Sequence, residues 1–217
     1  MIKNLIFDLD GTLLDTIKDI QDAINDALKA SGFSYSFTEK QCHFLIGDGA
    51  DYLLHRALKN NDNPSNFIKL KMEYMPRYKA YQERHTKPFE GIPSVLENLK
   101  KHGMSLFVCT NKPDEYAQII IRKFFKEELF KGIRGLREGE LPKPNPAITD
   151  YFLSTFKLKK EETFFVGDSI TDLRTAEASS LPLALCLWGY GNYLDKNLIH
   201  GAAKLLKEAK DIEKLVL

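Results

Sequence analysis

Residues 5–15 read LIFDLDGTLLD: three apolar residues, then carboxylates at Asp8 and Asp10, then Gly11. Such an apolar run reads as a buried strand, and in extended geometry residues i and i+2 point to the same side. Asp8 and Asp10 are therefore expected to crowd one small volume just past a strand end. Two unit charges ~4 Å apart repel by roughly 4 kcal/mol at an effective dielectric near 20. A metal, a proton or a nearby cation must relieve that repulsion, and each remedy points to chemistry rather than to fold stability.

Further runs rich in β-branched and aromatic residues lie at 104–109 (MSLFVC), 163–166 (TFFV) and 181–188 (LPLALCLW), with a weaker one at 130–135 (FKGIRG). Between them, 93–103, 114–125 and 146–156 carry apolar residues at three- and four-residue spacing, the period of an amphipathic helix. This alternation predicts an α/β fold, a Rossmann-like parallel sheet with helices on both faces. From 16 to 86 the pattern changes. IKDIQDAINDALKASG (17–32) and ADYLLHRALKN (50–60) are helical in period and no strand is legible, so a small all-helical cap is expected as an insertion after the first strand. Gly32, Asp48-Gly49 and Asn63-Pro64 punctuate it. The expected division is core 1–15, cap 16–86 and core 87–217, with hinges at the two crossings.

At 217 residues and 43% hydrophobic the chain suits one large domain or a core with an accessory unit. Its 31 basic and 30 acidic residues nearly cancel, leaving no electrostatic footprint for nucleic acid or an anionic membrane. Cys42, Cys109 and Cys186 are scattered without CxxC spacing and read as reduced thiols of a cytoplasmic protein. The N-terminus is unlike a signal peptide, and no apolar stretch is long enough to span a bilayer. A monomer or homodimer is expected.

Polar residues punctuate the predicted strand ends: Asp8 to Thr12, Thr110-Asn111-Lys112-Pro113, and Gly167-Asp168-Ser169-Ile170-Thr171-Asp172. In open α/β sheets ligands bind beyond the carboxyl ends of the strands, at a switch point. Lys143, in LPKPNP, adds a cation whose backbone Pro144 holds extended, while Asn145 and Pro146 suit the start of the next helix. Asp168 and Asp172 are four apart and are expected on one helix face near its N-terminus. Four carboxylates, a lysine, a hydroxyl and an amide, with no histidine or cysteine cluster, favour Mg²⁺ over Zn²⁺. A carboxylate nucleophile beside a metal and a lysine suits phosphoryl transfer, because the cations offset repulsion between nucleophile and phosphate.

DLDGTLLDT, Thr110-Asn111, Lys143 and GDSITD together resemble the four signature motifs of the haloacid dehalogenase superfamily of phosphatases, in order from residue 8 to 172. The resemblance implies that Asp8 attacks phosphorus and that Asp10 protonates the leaving oxygen, then activates water. It implies that Thr110 and Asn111 bind phosphoryl oxygens and that Lys143 neutralises nucleophile and phosphate. Asp168 would ligate Mg²⁺ with Asp8 and the Asp10 backbone carbonyl, supported by Asp172. Ile46-Gly47-Asp48-Gly49-Ala50, Pro88-Phe89-Glu90-Gly91, Thr110-Asn111-Lys112-Pro113 and Trp188-Gly189-Tyr190-Gly191 are similar to the phosphoglycolate phosphatase branch. Where members of that branch commonly carry an arginine before the cap glycines, this chain has His43, which leaves recognition of the glycolate carboxylate open.

The implied activity is a Mg²⁺-dependent phosphatase of a small phosphorylated metabolite, with 2-phosphoglycolate the best single substrate. Sugar phosphates and nucleotides are alternatives within the superfamily. A phosphohexomutase carries the same motifs and differs in its product. A phosphoacceptor signalling module also combines Asp, Mg²⁺ and Lys, but needs neither an acid at the Asp10 position nor a cap. Tyr74, Tyr78 and Tyr81 read as packing residues of a cap helix.

Overall fold

The structure is a computed structural model describing residues 1–191 and 196–216. Strand β1 (Asn4–Phe7) leads through a two-residue strand β2 (Leu14–Asp15) into helices α1 (Ile17–Ala30), α2 (Glu39–Cys42), α3 (Ala50–Leu58) and α4 (Pro64–Tyr81). The chain returns through β3 (Lys87–Pro88) and then alternates. In order come α5 (Ile92–Lys101), β4 (Ser105–Pro113), α6 (Asp114–Phe124), β5 (Phe130–Leu136), α7 (Ala147–Thr155), β6 (Thr163–Gly167), α8 (Ile170–Ala178), β7 (Leu183–Cys186), α9 (Lys196–Gly201) and β8 (Lys204–Leu206).

Among the described residues the main sheet runs β5-β4-β1-β6-β7-β8, with every pair parallel. Both faces are covered. Leu5, Phe7, Leu106, Val108 and Val166 pack with Leu96 of α5 and Ile120 of α6. Ile6, Phe107 and Phe165, one residue out of phase, pack with Phe152 of α7 and Leu173 of α8. Two-residue periodicity with both faces buried is why these strands read as unbroken apolar runs. The predicted α/β fold is therefore what the chain adopts. Chain order fills one flank of β1 with β4 and β5, then crosses to β6 on the other flank. The switch point is β1 itself, and ends of β1, β4 and β6 converge beyond it.

Helices α1, α3 and α4 share a separate apolar cluster in which Ile17, Ile20, Ile24, Ala27 and Leu28 meet Leu53, Leu54, Leu70, Tyr74 and Tyr78. The α1 positions follow the three- and four-residue spacing of a helix stripe. Gly32 follows α1 at φ +85°, and Asn63 caps α4 by accepting from the Asn66 amide at 3.0 Å. Both chain crossings to these helices are fastened. An antiparallel ribbon pairs Leu14 with Pro88 and Asp15 with Lys87. The Tyr190 hydroxyl accepts from the Thr16 and Ile17 amides at 2.6 and 3.1 Å and donates to Asp15 Oδ1 at 2.7 Å. On the return crossing, the buried Asp19 carboxylate accepts from the His85 amide (2.9 Å), the Thr86 amide (2.9 Å) and the Thr86 hydroxyl (2.8 Å). Asp19→Ala strands two main-chain donors beside an apolar helix face, so it is expected to cost about 3 kcal/mol in urea unfolding. A loss under about 1 kcal/mol would show that this anchor is not needed.

The β2–β3 ribbon and β8 are additions to the expected strands. Each is two or three residues long, too short for a periodic signal. No helix among the described residues is long and apolar enough to cross a membrane.

Candidate active site

The polar ends of β1, β4 and β6 meet the Lys143 loop at one point. Asp8 follows β1 directly, its amide donating to Val166 O of β6 at 2.9 Å. Gly11 then turns the chain at φ +90°, and a Cβ there would stand 2.5 Å from Asp168 Oδ2. Only glycine permits both the turn and that approach. Asp8 and Asp10 line one cavity, but the close carboxylate cluster joins Asp8 to Asp168 and Asp172 rather than to Asp10.

Lys143 is buried, and its ammonium donates to Asp8 Oδ1 (2.8 Å), Asp172 Oδ1 (2.8 Å) and Cys109 O (3.1 Å). Three protons meet three acceptors. The loop is held by Asn111, whose Oδ1 accepts from the Lys143 amide at 2.7 Å and whose Nδ2 donates to Lys143 O at 3.0 Å. Asn111 Nδ2 also donates to Gly47 O at 3.0 Å, tying β4 to the loop before α3. Thr110 Oγ1 accepts from the Lys112 amide at 3.2 Å, which leaves its own proton to donate. Neither residue caps α6: their strand runs on to Pro113, which precedes the helix without a side-chain bond.

Asp172 Oδ2 accepts from the Asp168 amide (3.1 Å), the Ser169 amide (3.0 Å) and Ser169 Oγ (2.7 Å), closing a capping box at the start of α8. Asp168 and Asp172 do not share a helix face, contrary to expectation. Ser169 takes the N-cap position, so α8 begins at Ile170 and Asp168 lies before it. Asp168 accepts from Thr12 Oγ1 at 2.9 Å and from the Tyr190 amide at 2.7 Å. Oxygens of Asp8, Asp168 and Asp172 still come within 4.8 Å of one another. The Asp10 side chain stands apart, 3.4 Å from Lys112 Nζ. Asn145 accepts from the Ala147 amide at 3.0 Å, and Pro146 immediately precedes α7.

Burial dominates the electrostatics. It pushes the Asp8 carboxyl up to about 7, with Asp172 and Asp10 adding to the rise and Lys143 opposing it. Burial, then Asp172 and Asp8, hold Asp168 well above the usual carboxylate range against its bonds from Tyr190 and Thr12. Burial works against the Lys143 charge, but Asp172 and Asp8 outweigh it and hold the ammonium above its ordinary range. Three buried carboxylates thus share one ammonium, which leaves the cluster short of positive charge.

Sequence reasoning assigned no site role to Lys112, Tyr78, Gly189 or Tyr190. Lys112 is buried and reaches both Asp10 Oδ1 and the Tyr78 hydroxyl. A Cβ on Gly189 would fall 2.3 Å from Gly11 O and 2.4 Å from Asp168 Cβ, so that glycine lets the last loop close on the site. The motif stretches containing Lys112, Gly189 and Tyr190 were visible as a branch pattern, but their spatial partners were not.

The sequence profile of haloacid dehalogenase-like hydrolases matches residues 5–185. The chain belongs to the haloacid dehalogenase-like hydrolase family. Within the family it is similar to the phosphoglycolate phosphatase of Photorhabdus laumondii, 32% identical over 195 residues that span 88% of this chain and 82% of that protein. The phosphoglycolate phosphatase of Cereibacter sphaeroides is 33% identical over 189 residues, 86% of this chain and 85% of its own. The crystal structure of a predicted phosphoglycolate phosphatase from Haemophilus somnus matches with a TM-score of 0.91 at 28% identity, covering 100% of this chain and 98% of that one. This haloacid dehalogenase-like hydrolase falls in the phosphoglycolate phosphatase-like branch and is a phosphoric monoester hydrolase.

Proposed function

We propose that the protein is a Mg²⁺-dependent phosphatase of small monoesters, with 2-phosphoglycolate the best single substrate, working through an aspartyl phosphate on Asp8. The observation that carries this reading is the buried Asp8 carboxylate at 2.8 Å from Lys143, with Asp10 lining the same cavity. Asp8 attacks phosphorus while Asp10 gives its proton to the leaving oxygen, so the alcohol departs as the aspartyl phosphate forms. Asp10 then takes a proton from the water that attacks this intermediate, releasing phosphate and restoring Asp8. Thr110 donates its remaining proton to a phosphoryl oxygen. Asn111 shares that pocket and keeps Lys143 in place, and Lys143 offsets the charge of nucleophile and phosphate.

The donor set fits Mg²⁺. It is all hard oxygen, and three buried carboxylates face one ammonium. Asp8, the Asp10 main-chain carbonyl and Asp168 would hold the ion, while Asp172 is occupied by Lys143 and the α8 cap. When bound, the ion neutralises charge on the phosphoryl group in flight. Residues 16–86 are read as a cap over the site. Beneath them Asp8 and Asp10 line both a cavity of about 50 Å³ on the Tyr78 side and an opening of about 320 Å³ on the His43 side. The near balance of charge and three buried cysteine thiols support a cytoplasmic enzyme without a nucleic-acid partner.

Phosphate release from a panel of small monoesters, with Mg²⁺ and with chelator, tests the proposal. No release from any of them would overturn it. Mg²⁺ is expected to raise the melting temperature by several degrees, and Asp168→Asn to abolish the shift. A proton on Asp8 competes with the ion, and this carboxyl titrates near 7, so Mg²⁺ affinity should rise between pH 6 and pH 8 in calorimetric titrations.

A further inference from the structure

The cavity between α4 and the ends of β1 and β4 contains a second buried ammonium. Lys112 lies at the end of β4 with its side chain 1% exposed. Its Nζ has two hydrogen-bond partners among the described residues, Asp10 Oδ1 at 3.4 Å and the Tyr78 hydroxyl. An ammonium carries three protons. Lys143, by contrast, has an acceptor for each of its three. The Tyr78 oxygen accepts from Lys112, so the phenol proton also remains to be given. Burial, then nearby Asp10 and Asp19, hold that phenol well above its ordinary range, so it stays a donor.

Both groups are fixed in place. Tyr78 stacks on Tyr74 with centroids 5.4 Å apart and planes within 10°, and Tyr116 closes its edge at 5.7 Å. The Lys112 ammonium also lies 4.6 Å from the Tyr78 ring centroid. Around them the cavity is lined by Asp8, Asp10 and Thr110 on one hand and by apolar Ile20 and Leu53 on the other. A volume of about 50 Å³ has room for roughly four water-sized groups. Two convergent donors beside an apolar wall suit a short-chain acid: carboxylate oxygens on the donors, a methylene on the wall, phosphate toward Asp8.

Lys112 is the cationic side chain that lines this cavity among the described residues, whereas Arg56 and His43 line the adjoining opening. Arg56 pairs with Asp48 and donates to Leu45 O. Burial lowers the His43 imidazole below its ordinary range. We propose that Lys112 and Tyr78 form a carboxylate-binding subsite for the leaving group and thereby decide which monoesters the enzyme accepts. This rests on the phosphatase reading above.

The test compares kcat/KM for 2-phosphoglycolate with that for ethyl phosphate, which lacks the carboxylate, in the wild type, Lys112→Met and Tyr78→Phe with Mg²⁺ present. The wild type is expected to prefer 2-phosphoglycolate by about 100-fold or more, because a site built to pair a charged group rejects its absence strongly. Lys112→Met should slow both esters, since it also touches Asp10, but should remove most of the preference. Tyr78→Phe keeps the ring stack and is expected to lower the ratio about tenfold. A wild type without preference, or a Lys112→Met enzyme slowed equally on both esters, overturns the assignment. Should Lys112→Met fail to fold, the Tyr78→Phe ratio decides: a fall supports the subsite and an unchanged ratio refutes it. Wild-type protein inactive on both esters and on the wider panel would overturn the phosphatase reading, and this inference with it.

Discussion

Asp8→Asn is expected to lower phosphate release by about 10⁴-fold or more while the fold stays intact. Asparagine keeps the shape of the side chain and an acceptor for Lys143, but it offers no carboxylate to form an acyl phosphate. Stability should change by no more than about 1 kcal/mol, because the lost Lys143 pairing is offset by relief of repulsion. The carboxyl removed is one that burial and neighbouring acids already push up to about 7. Steady-state phosphate release together with calorimetric melting separates the two effects. Full activity in this variant would end the nucleophile assignment.

The largest expected loss of stability belongs to Lys143→Met. Methionine fills similar space, but Asp8 and Asp172 lose the ammonium that lies 2.8 Å from each. Removing one partner of a buried charge network leaves the others uncompensated, at a cost of about 3–5 kcal/mol. The loss should depend on pH. Without the ammonium the folded-state carboxyls bind protons more tightly than the unfolded chain does, so the folded state gains from protonation. The variant is therefore expected to be closest to wild type near pH 5 and furthest from it above pH 7. A pH-independent difference in urea midpoints would show that packing, not charge, sets the cost.

Much of this molecule is legible in one dimension where the signal is local. β1, β4, β6 and β7 coincide with apolar runs because both faces of a parallel sheet are buried, whereas the edge strand β5 is largely half-buried and its signal is weaker, and α1 shows its stripe because one side of it is buried. Asp8, Lys143 and Asp168 were legible because charge beside apolar strand ends or prolines has few structural explanations. Lys112 had no such signal. A lysine at a strand end usually faces solvent, and its burial is imposed by Tyr78, 34 residues away on α4. Tyr74 and Tyr78 do stack as packing residues, yet the hydroxyl of the second serves the cavity, which ring spacing cannot announce. Asn111 is legible only as strand-end punctuation, because its partner is the Lys143 backbone, 32 positions further on. Asp168 falls before α8 rather than on its face because Ser169 takes the N-cap position.

One residue late in the chain couples features that a lineage could otherwise vary separately. The Tyr190 amide holds Asp168 while its hydroxyl grips Asp15, Thr16 and Ile17. A change at Tyr190 therefore acts at once on the Asp168 carboxylate and on the chain crossing at Asp15, Thr16 and Ile17.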